Sequence, residues 1–340
     1  EGSRGLGDVY KRQVLKTSKL RAFLTITIPG ARYGIISTTF VVFTQVFTDF
    51  GVPKVIGGNY NVLATDIYKE VVGMQNFQMG AVISLVLLIP AMVAFFIDQY
   101  SRKKQISLLT SRSVVFNPKK SWGVDMLMFG YCSIIAIIIL LMIGMAQFGA
   151  LVKFWPYNLS LTLKHYHFEV AGLGWESFYN SVEMAFYTAV FGTVVIFVGA
   201  YVVEKIKSDE KLRGIVQFFA LMPMAVPGLV LGLAYIFYFN SKENPLNFIY
   251  ATMAILVINT IVHFYTVSHL TGVTALKQMD KEAVSLSLKV PIYKMFWRVT
   301  LPVCLPTIFD ISIYLFVNAM TTVSGVIFLY TYHTTLASVS

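Results

Sequence analysis

The chain is dominated by seven long apolar runs separated by short polar segments. A helix needs about 20 apolar residues to cross the hydrocarbon core of a bilayer, and the runs approach or exceed that length. Charged residues make up 13% of the 340 positions, about half the share typical of a soluble domain. The pattern therefore predicts an all-α membrane protein with seven transmembrane helices. Their expected positions are 34–50, 78–97, 126–148, 182–203, 215–239, 248–267 and 303–323.

Lysine and arginine alternate between the loops in a way that supports this count. The loops 14–32, 98–125, 204–214 and 268–302 hold 19 of them, against five in the intervening loops and the tail. Cytoplasmic loops carry the excess of positive charge, so these four loops are predicted to be cytoplasmic. The net charge of +10 thus reflects membrane topology, since nucleic-acid binding would gather the charge in one patch.

Aromatic residues mark the opposite side of the predicted membrane. Trp155, Tyr157, Trp175 and Tyr179 lie in or beside the charge-poor loop 149–181. Tryptophan and tyrosine are enriched where a membrane protein meets the headgroup layer. We expect these four residues to belong to such an aromatic belt.

The sequence also contains an internal repeat. A shift of 273 residues aligns Phe23–Ile35 with Phe296–Ile308, and residues 23–65 then match their counterparts at eight of 43 positions. Both copies start in a predicted cytoplasmic loop, pass a proline and enter a predicted membrane helix. A duplicated membrane protein is therefore expected, as in many transporters built from parallel repeats.

The loop 268–302 has the features of a docking element. Residues 280–289 start acidic and end basic, which suits a short helix and its dipole, and Pro291 breaks that helix. The next eight residues place apolar side chains on one helical face, namely Ile292, Met295, Phe296 and Val299. An exposed apolar stripe flanked by basic residues predicts a surface for a partner. The alternative is a loop packed on its own helical bundle.

The run EAV…LKVP…FWRVTLP in this loop resembles the EAA loop of type I ABC importer permeases. Glu282 and Ala283 match the motif, whereas Val284 replaces its second alanine and Leu288 or Lys289 stands at its glycine. The resemblance implies coupling helices that dock on a cytoplasmic ATPase subunit. The residues to which it assigns docking are Glu282, Ala283, Val284, Leu288, Lys289, Pro291, Phe296 and Pro302, with Phe23 and Pro29 in the first copy.

The resemblance also implies a duplicated 6+6 fold of the MetI-like type, truncated at both ends. Residues 1–13 are polar and resemble translated sequencing-adapter sequence, so we expect them to be non-native. Residues 14–98 are expected to be the C-terminal part of the first permease half, with two spans. Residues 99–125 would form a basic cytoplasmic linker, and 126–340 the second half with five spans and the coupling loop 268–302.

The function implied is that of a transmembrane permease subunit in the bacterial inner membrane, which receives its substrate from a periplasmic binding protein. The chain has no P-loop, so ATP and Mg²⁺ are expected on a separate ATPase subunit. No catalytic motif is present, and we expect neither enzymatic activity nor a nucleic-acid partner. Fused double permeases of this kind import 2-aminoethylphosphonate or iron(III). The sequences of residues 62–81, 221–237 and 319–330 resemble the phosphonate branch most, with iron(III) as the alternative.

Two other classes stay open, a secondary transporter and an intramembrane enzyme or assembly factor. Metal binding by this chain is not expected, because His165 and His167 form an i, i+2 pair in an external loop, where such pairs are usually structural or solvated.

Polar groups inside the predicted spans are candidates for the translocation path, because they are costly in lipid. Asp310 and Asn318 either line the path or form a buried hydrogen-bonded pair. The break at Pro227 and Gly228 either flexes during gating or is a passive kink. The candidates are Asp310, Asn318, Thr321, Thr48, Asp49, Pro227 and Gly228. The spans contain no lysine or arginine, which leaves recognition of an anion to the external binding protein.

Overall fold

The computed structural model describes Arg21 and residues 23–106, 121–166, 174–205, 210–277 and 291–339. These residues divide into two compact units. The first comprises residues up to 30 and 107–175, and the second comprises 31–106 and 176–340. Each unit is described by itself.

Helices account for nearly all the regular structure in the part of the chain that is described. The α-helices are α1 (Ile28–Phe47), α2 (Gly51–Ile56), α3 (Leu63–Tyr68), α4 (Phe77–Ile106), α5 (Trp122–Leu151), α6 (Gly174–Lys205), α7 (Glu210–Leu221), α8 (Gly228–Phe239), α9 (Met253–His263), α10 (Tyr265–Lys277), α11 (Ile292–Met295), α12 (Leu301–Val303) and α13 (Leu305–Thr321). The strands are β1 (Val152–Phe154) and β2 (Asn158–Leu161). Short π-helical turns cover Phe23–Thr27, Lys69–Gly73 and Phe296–Thr300, and 3₁₀ turns cover Lys164–Tyr166, Met222–Ala225, Asn247–Ile249 and Tyr332–Thr334.

The first unit consists mainly of α5 and a β-hairpin. Helix α5 is 30 residues long and is described throughout, and none of its residues is buried. It passes directly into strand β1, which pairs antiparallel with β2 so that Val152 lies opposite Leu161. A helix that is apolar all round and unburied needs an apolar solvent, which supports the membrane assignment.

The core of the second unit lies between α6, α10 and α13. Ile196, Leu276 and Leu315 are completely buried there. The helices approach closely at Gly272, where a Cβ atom would lie 3.1 Å from the Cβ of Ala200. Small residues are what allow helix backbones to pack this tightly inside a membrane.

The described residues include three helices long and apolar enough to cross a membrane, or up to six spans if each bent helix pair is one span. The straight ones are Phe77–Ser101, Trp122–Leu151 and Gly174–Glu204. They agree with the predicted spans at 78–97, 126–148 and 182–203. Helix α1, which covers the predicted span 34–50, is not among them because it also contains Arg32 and Gln45. The count of seven spans stays a prediction.

Three helix pairs are bent at a short break; two of the bends lie within predicted spans, and the third lies at the start of the predicted span 303–323. Lys211–Ala225 and Gly228–Phe239 meet at 110°, Met253–His263 and Tyr265–Lys277 at 54°, and Tyr293–Val303 and Leu305–Thr321 at 70°. Proline explains the first bend, because Pro223 and Pro227 lack the amide hydrogen that a continuous helix needs. The third bend lies at Cys304, whereas the sequence predicts that the helix before it ends at Pro302. Pro302 does not end that helix, because it sits in the first turn of α12, where proline is tolerated.

The two copies of the sequence repeat share an unusual local backbone. Phe23–Thr27 and Phe296–Thr300 are both π-helical turns. Each is followed by a helix with proline at its second position, Pro29 in α1 and Pro302 in α12. The π-turns are offset by the same 273 residues as the sequence match. The copies differ beyond this point, because α1 continues straight for 20 residues.

A largely irregular segment, 322–339, follows α13 and packs into the second unit. Val326, Leu329 and Leu336 are buried, and side chains of α6 hold the backbone around them. The Asn180 amide donates to the carbonyl oxygens of His333 and Thr335, both at 3.1 Å. Irregular backbone at membrane depth must find such partners within the protein.

Candidate functional site

A cavity of about 260 Å³ lies in the second unit where two of the helix breaks face α1. Its walls come from the C-terminal half of α1, the α7–α8 break, the α9–α10 break, one residue of α13 and one of the segment 322–339. The lining residues are Val41, Thr44, Gln45, Thr48, Asp49, Pro223, Met224, Val226, Pro227, Gly228, His263, Phe264, Thr266, Val267, Tyr314 and Ser324.

The α1 wall is the most polar part of the cavity. The Thr48 hydroxyl donates to the Thr44 carbonyl oxygen at 2.8 Å, so the helix itself satisfies that donor. Asp49 follows at the end of the helix, where its Oδ2 accepts a hydrogen bond of 3.2 Å from the Val52 amide. Among the lining residues Asp49 is the only carboxylate, and none is lysine or arginine.

The wall at the α7–α8 break is shaped by tight backbone packing. A Cβ atom at Gly228 would lie 2.6 Å from Ser324 Oγ and 3.0 Å from the Gly325 amide nitrogen. The Asn259 side chain is completely buried and donates to the Gly325 carbonyl oxygen at 2.8 Å. Glycine at 228 therefore lets α8 begin against the turn at Ser324, and Asn259 holds that turn in place.

The third wall is formed where α9 ends and α10 begins. His263 closes α9, and its Nδ1 atom is buried with no hydrogen-bond partner in the part of the chain that is described. The hydroxyl of Thr266 donates to the Ala220 carbonyl oxygen at 2.9 Å, which ties the start of α10 to the end of α7. The break thus presents an imidazole to the cavity while Thr266 fixes the neighbouring helices.

The cavity brings together four of the seven predicted path residues, Thr48, Asp49, Pro227 and Gly228. Asp310, Asn318 and Thr321 are not among its lining residues. The Asn318 amide donates to the Tyr314 carbonyl oxygen of its own helix at 2.7 Å, and the Thr321 hydroxyl donates to the Val317 carbonyl oxygen at 3.1 Å.

Asp310 is exposed on α13. The alternative of a buried hydrogen-bonded pair between Asp310 and Asn318 is therefore wrong. The carboxylate lies on the open face of the helix, while the Asn318 amide bonds within its own helix.

The sequence analysis missed Gln45, His263, Tyr314 and Ser324. Gln45 and His263 were open to detection, since each is a polar side chain inside a predicted span, the same signal that selected Asp310. Tyr314 and Ser324 carry no such signal, because the cavity reaches them only through the bends of the chain.

The predicted docking loop is partly covered by the structure. Glu282, Ala283, Val284, Leu288 and Lys289 lie outside the described residues. Pro291 and Pro302 are exposed, and so are Phe23 and Pro29 in the first unit.

The described part of the predicted apolar stripe, Met295, Phe296 and Val299, is buried or half-buried rather than exposed, and the side chain of Ile292 lies outside the described residues. Met295 is buried, and the Phe296 ring packs edge-on against Tyr201 with the ring centroids 4.8 Å apart. An isolated amphipathic helix does not specify what covers its apolar face, and here α6 covers it. The open face of the same helix carries Tyr293 and Trp297, which are 64% and 65% exposed, together with the exposed Lys294 and Arg298.

The described residues contain no group of three or more His, Cys, Asp or Glu side chains that could hold a metal ion. His165 Nε2 lies 3.0 Å from the Val152 carbonyl oxygen, in the hairpin of the first unit. His167 lies outside the described residues.

No family model matches the chain. The chain is 30% identical to a protein of Haemophilus influenzae provisionally named ferric transport system permease protein FbpB 1. The match runs over 338 residues and covers 93% of this chain and 51% of the relative. It is 28% identical over 345 residues to the ferric transport system permease protein FbpB of Actinobacillus pleuropneumoniae, which covers 95% of this chain and 48% of the relative.

The chain spans about half the length of the curated relatives it matches. Both relatives are named as permease proteins of transport systems, not as enzymes, in agreement with the prediction that this chain is not an enzyme. The chain is thus similar, over more than nine-tenths of its length, to ferric transport system permease proteins, which confirms its resemblance to the iron(III) permeases of ABC importers.

Proposed function

We propose that the chain is part of the membrane-spanning permease of an ATP-driven importer that carries iron(III) across a bacterial inner membrane. The similarity to permeases named for ferric transport is the observation that carries this proposal. The long apolar helices of both units support a multi-pass membrane protein. The preference for 2-aminoethylphosphonate finds no support in these relatives, so the iron(III) alternative replaces it.

The charge of the cavity favours a cation over a phosphonate. Asp49 is its one carboxylate, and its lining residues include neither lysine nor arginine. Rings and pockets of acidic groups select cations, whereas anion paths are lined by Arg or Lys. A phosphonate would face the Asp49 carboxylate with no positive side chain to offset the repulsion.

The cavity is proposed to be a section of the translocation path. Broken helices expose backbone groups that ordinary spans keep bonded, and these breaks are tolerated where they line a water-filled space. Pro227 and Gly228 open α8 toward the cavity, and Thr48 and Asp49 supply oxygen atoms from α1. Passage would need movement at the breaks, because Pro227, Gly228 and Thr266 are buried there.

Energy would reach this path from a separate ATPase subunit that binds ATP and Mg²⁺. The predicted loop 268–302 begins inside α10, which is buried as far as Leu276 and ends at Lys277. The proposed docking element is therefore the part of the loop after α10, with the exposed Tyr293, Lys294, Trp297 and Arg298 as part of the contact surface. The apolar stripe behind them anchors the element on α6 through Phe296. A periplasmic binding protein is proposed to deliver the substrate on the other side.

A duplicated fold with seven spans in this chain fits these observations. The matching π-turns at Phe23–Thr27 and Phe296–Thr300 support the duplication. Five of the seven spans correspond to the straight helices and the first two bent pairs, α13 (Leu305–Thr321) corresponds to the last span, and α1 would supply the remaining one.

Uptake of radiolabelled iron by cells that express the full-length protein with its ATPase and binding protein tests the proposal. Glu282→Lys is expected to abolish ATPase association and uptake while the protein stays in the membrane. Glu243→Lys, a matched charge reversal in the polar turn after α8, is expected to leave both unchanged.

An excess of 2-aminoethylphosphonate should not compete with iron. Competition by the phosphonate, or full uptake by Glu282→Lys, would contradict the proposal. Uptake that persists without the ATPase would indicate a secondary transporter.

A further inference from the structure

The β-hairpin that follows α5 carries an unusual number of exposed apolar side chains. Tyr157 at its turn is 84% exposed, and Leu161 on β2 is 71% exposed. The exposed apolar residues of this segment are Phe154, Trp155, Tyr157, Leu159, Leu161 and Leu163. Such a patch on a 15-residue stretch of otherwise polar loop indicates a surface that is covered in the working protein.

The hairpin is fastened to the last turn of α5 rather than projecting away from it. The Thr162 amide donates to the Leu151 carbonyl oxygen at 2.7 Å, which brings the end of β2 back to the end of the helix. The side chain of Gln147 donates to the Tyr166 hydroxyl. Both ends of the hairpin therefore meet the helix terminus, and its position along the helix axis is fixed.

The turn of the hairpin folds back beside the helix. The Trp155 ring packs at right angles against Phe148, with the ring centroids 6.2 Å apart. Phe148 lies three residues before the end of α5, which at 1.5 Å per residue places it about 4.5 Å inside the helix terminus. The long apolar part of α5 ends at Gln147, so we expect Trp155, beside Phe148, to lie at the level where hydrocarbon gives way to headgroups.

The charged side chains of this segment also suit a position at the phospholipid headgroups. Between Val152 and Tyr166 the sequence contains Lys153 and Lys164 but no aspartate or glutamate. Both lysines are exposed. Lysine buries its carbon chain along apolar surface while its ammonium group stays among polar groups, and here phosphates would meet it.

We propose that the β1–β2 hairpin lies in the phospholipid headgroup layer, with its aromatic turn and leucines in the upper acyl region and its two lysines at the phosphates. Tryptophan and tyrosine prefer this zone of the bilayer, and amphipathic segments bind there by apolar burial combined with attraction to anionic lipid. The hairpin would thereby fix the depth and rotation of α5. This inference requires that α5 spans a membrane but does not depend on the transported substrate.

A spin label on the hairpin tests the proposal in the full-length protein. Leu159→Cys, with every native cysteine of the protein changed to alanine, Cys132 and Cys304 among them, is labelled and reconstituted in bilayer discs of phosphatidylethanolamine and phosphatidylglycerol. The label is expected to collide more with oxygen, which concentrates in lipid, than with a water-soluble nickel chelate. Lys242→Cys, in the polar turn after α8, is the matched control and should show the reverse preference.

A second measurement avoids any change to the hairpin. With every other tryptophan of the protein replaced by phenylalanine, Trp122, Trp175 and Trp297 among them, Trp155 should lose most of its emission when the discs contain lipid brominated near the headgroup, and less when the bromines are deep.

Nickel access at position 159 equal to that at 242 would overturn the proposal, as would Trp155 emission that brominated lipid leaves unchanged. If the label at position 159 is shielded from the nickel chelate only after the binding protein is added, the hairpin contacts that protein rather than lipid, and the proposal is overturned.

Discussion

Gly228 is the position where the smallest change should disturb the cavity most. An added Cβ would lie 2.6 Å from Ser324 Oγ and 3.0 Å from the Gly325 amide nitrogen, whereas non-bonded carbon contacts are relaxed at about 3.5–4.0 Å. The Ser324 hydroxyl can rotate away, but the backbone at Gly325 must retreat by a few tenths of an ångström, and overpacking of this kind costs about 1–3 kcal/mol. Reduced freedom of the unfolded chain returns about 0.4–1 kcal/mol on replacing glycine by alanine. We expect Gly228→Ala to destabilise the protein on balance and to slow transport.

Thermal unfolding of the purified full-length protein in detergent measures the loss of stability, and iron uptake measures the loss of function. The matched control is Gly130→Ala in α5, where an added Cβ meets no atom within 4 Å. Alanine is favoured over glycine inside a helix by about 1 kcal/mol, so this variant should unfold at the same or a higher temperature. Equal unfolding temperatures for Gly228→Ala and Gly130→Ala would refute the packing argument.

Three further substitutions test other parts of the second unit. Asn259→Leu removes the 2.8 Å hydrogen bond to the Gly325 carbonyl oxygen, and leaving that carbonyl unpaired should lower the free energy of unfolding by about 1–3 kcal/mol. Phe296→Ala should cost about 3 kcal/mol, the low end for a buried phenylalanine, because the ring is only partly buried. Asp49→Asn should reduce iron uptake several-fold by removing the charge of the cavity, whereas Asp310→Asn, on an exposed face, should leave uptake unchanged.

Each of these outcomes has a direct check. Thermal unfolding is measured for the first two, with Trp297→Ala as the control for Phe296→Ala because Trp297 lies on the open face of the same helix. A larger effect at Trp297 than at Phe296 would mean that the stripe does not anchor the loop on the bundle. Iron uptake distinguishes the two aspartates, and equal losses at Asp49 and Asp310 would remove the cavity from the path.

Hydropathy and charge locate the helices well but not their bends. The helices α4, α5 and α6 fall on predicted spans because a long apolar run can cross a bilayer only as a helix whose backbone groups bond within it, and α4 stays one helix even with Pro90 in its interior. The bend at Phe264 has no proline or glycine to announce it. Hydropathy and charge therefore give no sign of this bend.

Four of the seven residues predicted for the translocation path line the cavity, and three do not. Thr48 and Asp49 were selected because they end a predicted span, and Pro227 and Gly228 because they break one. Asp310 was selected by the same rule of polar groups in lipid, yet it faces outward, since a hydropathy window does not say which side of a helix faces the interior.

Helix α8 begins at the first bend, beside the cavity, and would rotate about that point as a rigid arm. Its 12 residues make it about 18 Å long at 1.5 Å per residue. A rotation of only about 10° at Gly228 would carry the far end of that arm about 3 Å, roughly the width of one water molecule, by the same helix geometry. A small change of angle beside Asp49 would thus produce a larger displacement at the far end of α8, and an ATPase subunit coupled to the bend would need only a small movement.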